Sequence, residues 1–162
     1  MKTKHVVVTL MLIMTGLLCC ACGAQKEGSA DQLEGSLGDI IAGLYEKAEL
    51  SEDFKAGLDS FETFELTEEM EVSILGTDEI EYTEATASIP MISPNAFQLV
   101  LLRVEEDKVD TVKQQLKDNA DLNKWICVSA ETMLIESRGN VIFFVMGDSD
   151  STYALNSAFQ KY

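Results

Sequence analysis

Apolar residues recur every three or four positions in several segments of the chain, and this spacing predicts amphipathic helices. Several of these segments begin at a polar residue followed by acidic ones, as the N-terminus of a helix does. The first two predicted helical segments are the stripe from Leu33 to Ala48 and a short helix after Ser51. A third helix is predicted from Thr67 to Gly76, with Leu66, Met70 and Ile74 buried. A fourth is predicted from Glu106, with Val109, Val112, Leu116 and Ala120 buried, and a last one after Asp148.

Strand spacing appears between these helical segments. From Ile80 to Met91 apolar and polar residues alternate, with a change of phase between Tyr82 and Ala85 that a bulge or a break would produce. The run Phe97–Val104 is nearly continuous in apolar residues, which is typical of a central strand covered on both faces. A turn is expected at Ser93-Pro94-Asn95, and a hairpin is expected for Thr132–Ser137 and Val141–Met146 around Arg138-Gly139-Asn140.

The order of elements, N-terminal helices followed by ββαββα, predicts an α+β fold: a single small domain with one antiparallel sheet and helices packed on it. Cys127 lies between apolar neighbours, so it is expected to be a buried and unreactive thiol. The residues expected in one contiguous core cluster beneath the helices are Phe97, Leu101, Trp125, Phe143 and Val145.

The start of the sequence has the pattern of an export signal. Lys2 and Lys4 precede the apolar run Val6–Leu18, which ends at a small residue followed by cysteine, Ala21-Cys22. This looks like a lipobox, the cleavage and acylation signal of bacterial lipoproteins. It predicts diacylglyceryl on Cys22 and a location on the outer face of the cytoplasmic membrane.

Processing at Cys22 divides the sequence into a signal peptide at 1–21, a flexible tether at 22–36 and a domain at 37–162. The tether is rich in small and charged residues, as linkers are. Three alternatives remain open: an ordinary cleaved signal peptide, an uncleaved membrane helix, and acylation of Cys20. A membrane helix fits less well because the apolar run is shorter than the ~20 residues that span a bilayer.

Composition narrows the chemistry that is open to this protein. The 28 acidic residues against 12 Lys and Arg give a net charge of −16, which disfavours binding to nucleic acid. The only histidine is His5, which leaves with the signal, so histidine-based catalysis and metal ligation are not expected in the mature protein. No catalytic residue, metal ligand or cofactor site is predicted.

The acidic stretch Glu62–Glu84 contains nine carboxylates and no Lys or Arg. A solvated face is the plainest interpretation of it. A weak site for divalent cations, a docking face for a basic partner, or the paired carboxylates of a glycan hydrolase are the functional alternatives.

Four features in order carry a resemblance to a known family. They are the lipobox with its short tether, a helix ending in Ile74-Leu75-Gly76-Thr77-Asp78, a strand pair ending in Ala96–Leu102 before a helix containing Val112-Lys113, and Ser137–Phe144 before a final helix. In these the protein resembles small uncharacterised lipoproteins of clostridia and related anaerobes, a domain of unknown function. The resemblance implies a fold and a location and supplies no activity.

The sequence therefore favours a lipid-anchored, non-enzymatic module that binds a protein or another component of the cell envelope. Its membrane contact would be the lipid on Cys22. The alternatives are a carboxylate-dependent cell-wall hydrolase that uses residues of Glu62–Glu84, and a small lipoprotein that binds a solute or a cation.

Overall fold

The computed structural model describes residues 32–91 and 95–162. The predicted signal, Cys22 and most of the predicted tether lie outside these ranges, as do Ser93 and Pro94 of the predicted turn. Over the described ranges the protein forms a single α+β domain, which confirms the predicted fold class.

An antiparallel sheet runs through the middle of the domain, with its strands in the order β1-β2-β3-β5-β4. The predicted ββαββα order is confirmed, and β1 precedes it in a segment for which the pattern predicted no element. Strand β3 is central, and the predicted hairpin is formed by β4 and β5. The strands are β1 (Phe61–Glu65), β2 (Glu84–Pro90), β3 (Gln98–Arg103), β4 (Thr132–Arg138) and β5 (Val141–Gly147).

Helices cover both faces of this sheet. Helices α1 and α5 pack on one face, and α3 and α4 pack on the other. Because β3 and β5 are covered on both sides, nearly all their side chains are buried, which explains their continuous apolar runs. The helices are α1 (Leu37–Lys47), α2 (Glu52–Gly57), α3 (Glu68–Leu75), α4 (Val109–Asn119) and α5 (Ser149–Gln160), with 3₁₀ turns at Leu58–Ser60 and Glu106–Lys108.

The two faces hold separate clusters of buried residues, so the prediction of one core cluster is wrong for Trp125. Phe97, Leu101, Phe143 and Val145 lie together on the α1/α5 face. Trp125 is half-buried and packs against the cluster on the α3/α4 face. It lies there because its loop continues from the end of α4.

The capping predictions are confirmed at three helix ends. The side chains of Ser51 and Asp148 accept hydrogen bonds from the first turns of α2 and α5. Gly76 ends α3 in the left-handed conformation, with φ of 87°. In this conformation a Cβ atom on residue 76 would lie 2.2 Å from the carbonyl oxygen of Asn119. The glycine therefore permits both the turn and the contact between the ends of α3 and α4.

Two details of the predicted elements differ from the structure. Strand β2 begins at Glu84, so the alternation at Ile80 and Tyr82 belongs to the connection that precedes it. Met70 is 39% exposed, whereas Glu71 and Leu75 are buried with Ile74. Helix α3 is therefore rotated relative to the predicted stripe, and Glu71 is accommodated because the hydroxyl of Tyr82 donates to its carboxylate at 2.5 Å.

Residues 32–36, the last part of the predicted tether, lie against the domain. The Arg103 guanidinium donates to the carbonyl oxygens of Leu33 and Gly35, each at 2.8 Å, and to the Glu84 carboxylate at 3.1 Å. The other oxygen of Glu84 accepts from the backbone N–H of Leu37 at 3.0 Å. Arg103 and Glu84 thus attach the segment that enters α1 to one end of the sheet.

Candidate functional site

The sheet has two ends with different surroundings, named here by the terminal residues of β3. At the Arg103 end, the segment before α1 is attached as described above. The Gln98 end carries the loops that join β2 to β3 and α4 to β4. Five residue steps of about 3.4 Å separate the two ends along β3, or roughly 17 Å.

A cleft opens at the Gln98 end between α3, the end of β2 and the loop after α4. We call it the Lys124 cleft, and its volume is about 600 Å³. This lies within the range of small-molecule binding sites. Its walls include Val72, Ile89, Gln98, Lys124, Trp125 and Met146.

Lys124 joins three elements inside this cleft. Its ammonium donates to the carbonyl oxygens of Ser73 at 2.6 Å and Ile74 at 3.4 Å, and to the side-chain oxygen of Gln98. The amide nitrogen of the fully buried Gln98 also donates to the Ile74 carbonyl, at 3.0 Å. Because the last carbonyls of a helix have no partner within it, Lys124 satisfies and electrostatically complements the C-terminus of α3.

The charge of Lys124 is set by opposing influences. Burial in the cleft lowers the pKa of its ammonium to about 8, while the nearby negative charge of Asp121 acts to raise the pKa. The amine is therefore mostly protonated at neutral pH. Its nitrogen also lies 5.1 Å from the centre of the Trp125 ring, within the range of a cation–π contact.

Three exposed apolar side chains, which we call the apolar rim, lie on the wall of the Lys124 cleft or directly after its lining residues in the sequence. Val72 lies on its wall with 58% of its surface exposed. Met91 follows the lining residue Pro90 and is 59% exposed, and Ile126 follows Trp125 and is 91% exposed. Single exposed apolar residues are ordinary on protein surfaces, but one on the wall of a concave site with two more next to its lining residues is typical of an interaction surface.

Cys127 lies next to this rim, and the prediction that it is buried is wrong. Its side chain is exposed, and its φ of 66° places it in the left-handed region. The loop turns at this residue, and the apolar segment Trp125–Val128 therefore divides. Trp125 and Val128 pack towards the domain, whereas Ile126 and Cys127 project from it.

A second cleft of about 430 Å³ lies at the same end, on the α1/α5 side of Phe97. Two of its polar groups already have structural partners. Asp148 caps α5 through the N–H of Ser151, and Glu131 accepts from the N–H of Ser149. We take the Lys124 cleft, the larger of these two, as the candidate site because it combines an ammonium with the apolar rim.

The acidic stretch Glu62–Glu84 is divided among β1, α3, the connection after α3, and β2. Two of its half-buried or buried members are bound by other side chains: Glu71 by Tyr82, and Glu84 by Arg103. Burial of the Tyr82 hydroxyl is the main cause that raises the pKa of Tyr82 to about 12, and its hydrogen bond to Glu71 is the next. Within residues 32–91 and 95–162, no three His, Cys, Asp or Glu side chains lie close enough to hold a metal ion.

No protein-family model, curated protein or solved structure matches the sequence. The resemblance to the clostridial lipoproteins therefore stays a prediction. In the part of the protein that the structure describes, none of the helices has the length and apolar character needed to cross a bilayer.

The sequence pattern did not indicate Lys124 as a site residue. About fifty residues separate it from the carbonyls that it binds, and a single lysine before a tryptophan has no distinguishing spacing. The one available signal was Trp125, a large aromatic residue in the loop after α4. The pattern assigned it to the core instead.

Proposed function

We propose that this protein is a lipid-anchored, non-enzymatic binding module of the cell exterior, and that the Lys124 cleft is its binding site. The lipobox-like segment ending at Cys22 supports the anchor and the location. The observation that carries the binding site is a concave, partly polar cleft with the exposed Val72 on its wall and the exposed Met91 and Ile126 directly after two of its lining residues in the sequence.

The position of the cleft supports this proposal. The anchored segment would join the domain through residues 32–36, which are attached at the Arg103 end. The ten residue steps from Cys22 to Gln32 span at most about 35 Å. The cleft lies at the Gln98 end, so the binding site is on the side of the domain remote from the point where the tether joins.

The charge of the domain agrees with this arrangement. The full sequence has a net charge of −16, and loss of Lys2 and Lys4 with the signal makes the mature protein more acidic. Such a surface is repelled by anionic headgroups within a screening distance of about 8 Å. A bilayer surface is therefore a poor partner for the rim, and a component in the solution or the cell wall is a better one.

The anchor has a direct test in the mature protein. Mass spectrometry of the purified membrane form is expected to find diacylglyceryl on Cys22 and no residue N-terminal to it. Cys22→Ala is expected to prevent this processing, whereas Cys20→Ala is expected to leave it intact. An intact Met1 in the membrane fraction, or lipid on Cys20, would show that the assignment is wrong.

The binding site can be tested with the anchored protein in its own membranes. A photoreactive amino acid at Val72 is expected to form a discrete cross-linked product, which excess unlabelled domain suppresses and a Val72→Asp/Ile126→Asp domain does not. The matched control is Tyr153, which is also 58% exposed but lies on α5, on the other face of the sheet. Identical products from positions 72 and 153 would count against the cleft.

A further inference from the structure

We infer that the Lys124 cleft takes a ligand in which a carboxylate is attached to an apolar group, with the carboxylate bound by the Lys124 ammonium and the apolar group held beside Trp125. This inference deepens the proposed function and rests on it. The ligand chemistry has two sources, a free carboxylic acid or the C-terminal residue of a peptide.

The first argument is that Lys124 is a half-buried cation paired only with neutral oxygens. Its hydrogen-bond partners are two carbonyls and one amide. None of the ion pairs within the described residues includes Lys124. Asp121 influences its pKa from beyond ion-pair distance. An anionic partner, which makes the stronger hydrogen bond with a half-buried ammonium, is thus left for a ligand to supply.

The second argument is that one N–H of the ammonium can be redirected at little cost. The contact with the Ile74 carbonyl is long, at 3.4 Å, and the same carbonyl accepts a better hydrogen bond from Gln98 at 3.0 Å. If Lys124 turns this N–H towards a ligand, the Ile74 carbonyl keeps a partner. No buried acceptor is then left unsatisfied, which is the usual penalty for such a change.

The third argument is the order of polar and apolar groups in the cleft. The ammonium lies beside the Trp125 ring, 5.1 Å from its centre, and the exposed apolar side chain of Val72 lies on the wall of the cleft. A carboxylate at Lys124 would therefore place its attached group against the indole and the walls formed by Val72 and Ile89. A volume of about 600 Å³ admits a phenyl ring or the side group of a leucine with its connecting atoms.

Discrimination between an acid and its amide follows from the same geometry. The acidic surface does not attract anions from a distance, and it is screened beyond about 8 Å at physiological salt. Preference for the acid must then come from Lys124 itself. We expect 3-phenylpropionate to bind at least about tenfold more tightly than its amide, and N-acetyl-Ala-Ala-Leu to show the same preference over its C-terminal amide.

Trp125 makes this measurement direct, because it is the only tryptophan of the protein and it lines the cleft. The fluorescence of Trp125 is followed while the mature, lipidated protein in detergent is titrated with each acid and each amide. If only the free acid shows the preference, the ligand is a small molecule. If only the peptide shows it, the ligand is the C-terminus of a polypeptide.

Two variants test the role of the ammonium. Lys124→Met is expected to abolish the preference for the acid while leaving weak binding of both probes, and Lys124→Arg is expected to retain most of it. The matched control Lys117→Met changes an exposed lysine on α4 and is expected to bind as the unmodified protein does. If Lys124→Met fails to fold, Lys124→Arg and the comparison of acid with amide still decide the question.

Equal affinities of acid and amide, or no response to either, would overturn the assignment of the ligand. A preference for the acid that persists in folded Lys124→Met would do so as well. If cross-linking specific to Val72 is found while neither acid binds, the ligand assignment fails and the binding role stands. If that cross-linking is also missing, both the ligand assignment and the proposed binding role fail.

Discussion

Replacement of Phe143 by alanine is expected to lower the free energy of unfolding by about 3–5 kcal/mol, as truncation of buried aromatic residues usually does. Phe143 lies in β5, is fully buried, and stacks on Phe159 of α5 with 4.9 Å between the ring centres. The change would leave a cavity between the sheet and α5. Denaturant unfolding of the variant and the unmodified protein measures the loss.

The matched control for Phe143 is Ile126→Ala, which also removes apolar atoms but from a residue that is 91% exposed. Its effect is expected to stay within about 0.5 kcal/mol, as for most surface changes. A loss below about 1 kcal/mol for Phe143→Ala, or similar losses for the two variants, would contradict the placement of β5 in the middle of the domain.

Gly76→Ala is expected to cost at least about 2 kcal/mol, because two penalties combine. The left-handed conformation of residue 76, with φ of 87°, costs a residue with a Cβ atom about 1–2 kcal/mol. The added methyl group would also lie 2.2 Å from the backbone oxygen of Asn119, so the ends of α3 and α4 must separate. The free energy of unfolding is again the quantity to measure.

Gly57→Ala provides the control for this prediction. Gly57 lies at the end of α2 in right-handed geometry, and a Cβ atom there would meet no atom within 4 Å. Alanine at such a position is expected to raise stability by about 0.4–1 kcal/mol, because it restricts the unfolded state. Equal effects of the two substitutions would mean that neither the φ angle nor the contact with Asn119 matters.

Much of the fold could be predicted because its signals are local. The hairpin of β4 and β5 follows from two apolar runs around Gly139-Asn140, and the apolar run of β3 indicates its central position. Ser51, Gly76 and Asp148 mark helix ends through chemistry that acts within a few residues. These signals do not depend on which distant segments pack against the element.

The remaining details depend on contacts between distant segments. Trp125 and Cys127 were both expected to be buried, yet the loop holds Trp125 on the α3/α4 face and turns Cys127 outwards. The predicted stripe of α3 also differs from the structure, since Tyr82 provides a partner that lets Glu71 be buried in place of Met70. A periodic pattern shows which apolar residues share one face of an element, but it does not show which surface of the protein will cover that face.

The candidate site was the least predictable part for the same reason. Lys124 acquires its role only when the end of α3, the start of β3 and the loop after α4 meet. The acidic stretch is contiguous in the sequence, whereas the fold disperses its members over four segments. Residues that are neighbours in the acidic stretch are therefore dispersed in the fold, whereas the partners of Lys124 are distant in the sequence and close in space.

The attachment of residues 33–37 by Arg103 and Glu84 also determines how the domain responds to force. A pull on the N-terminal side, resisted at the Gln98 end, is directed along the strands of the sheet. Because ladder hydrogen bonds are perpendicular to the strands, such a pull shears many of them together instead of opening them one by one. The bonds of Arg103 to Leu33 and Gly35 are among the first to bear this load, so they contribute to the force at which residues 33–36 detach from the sheet.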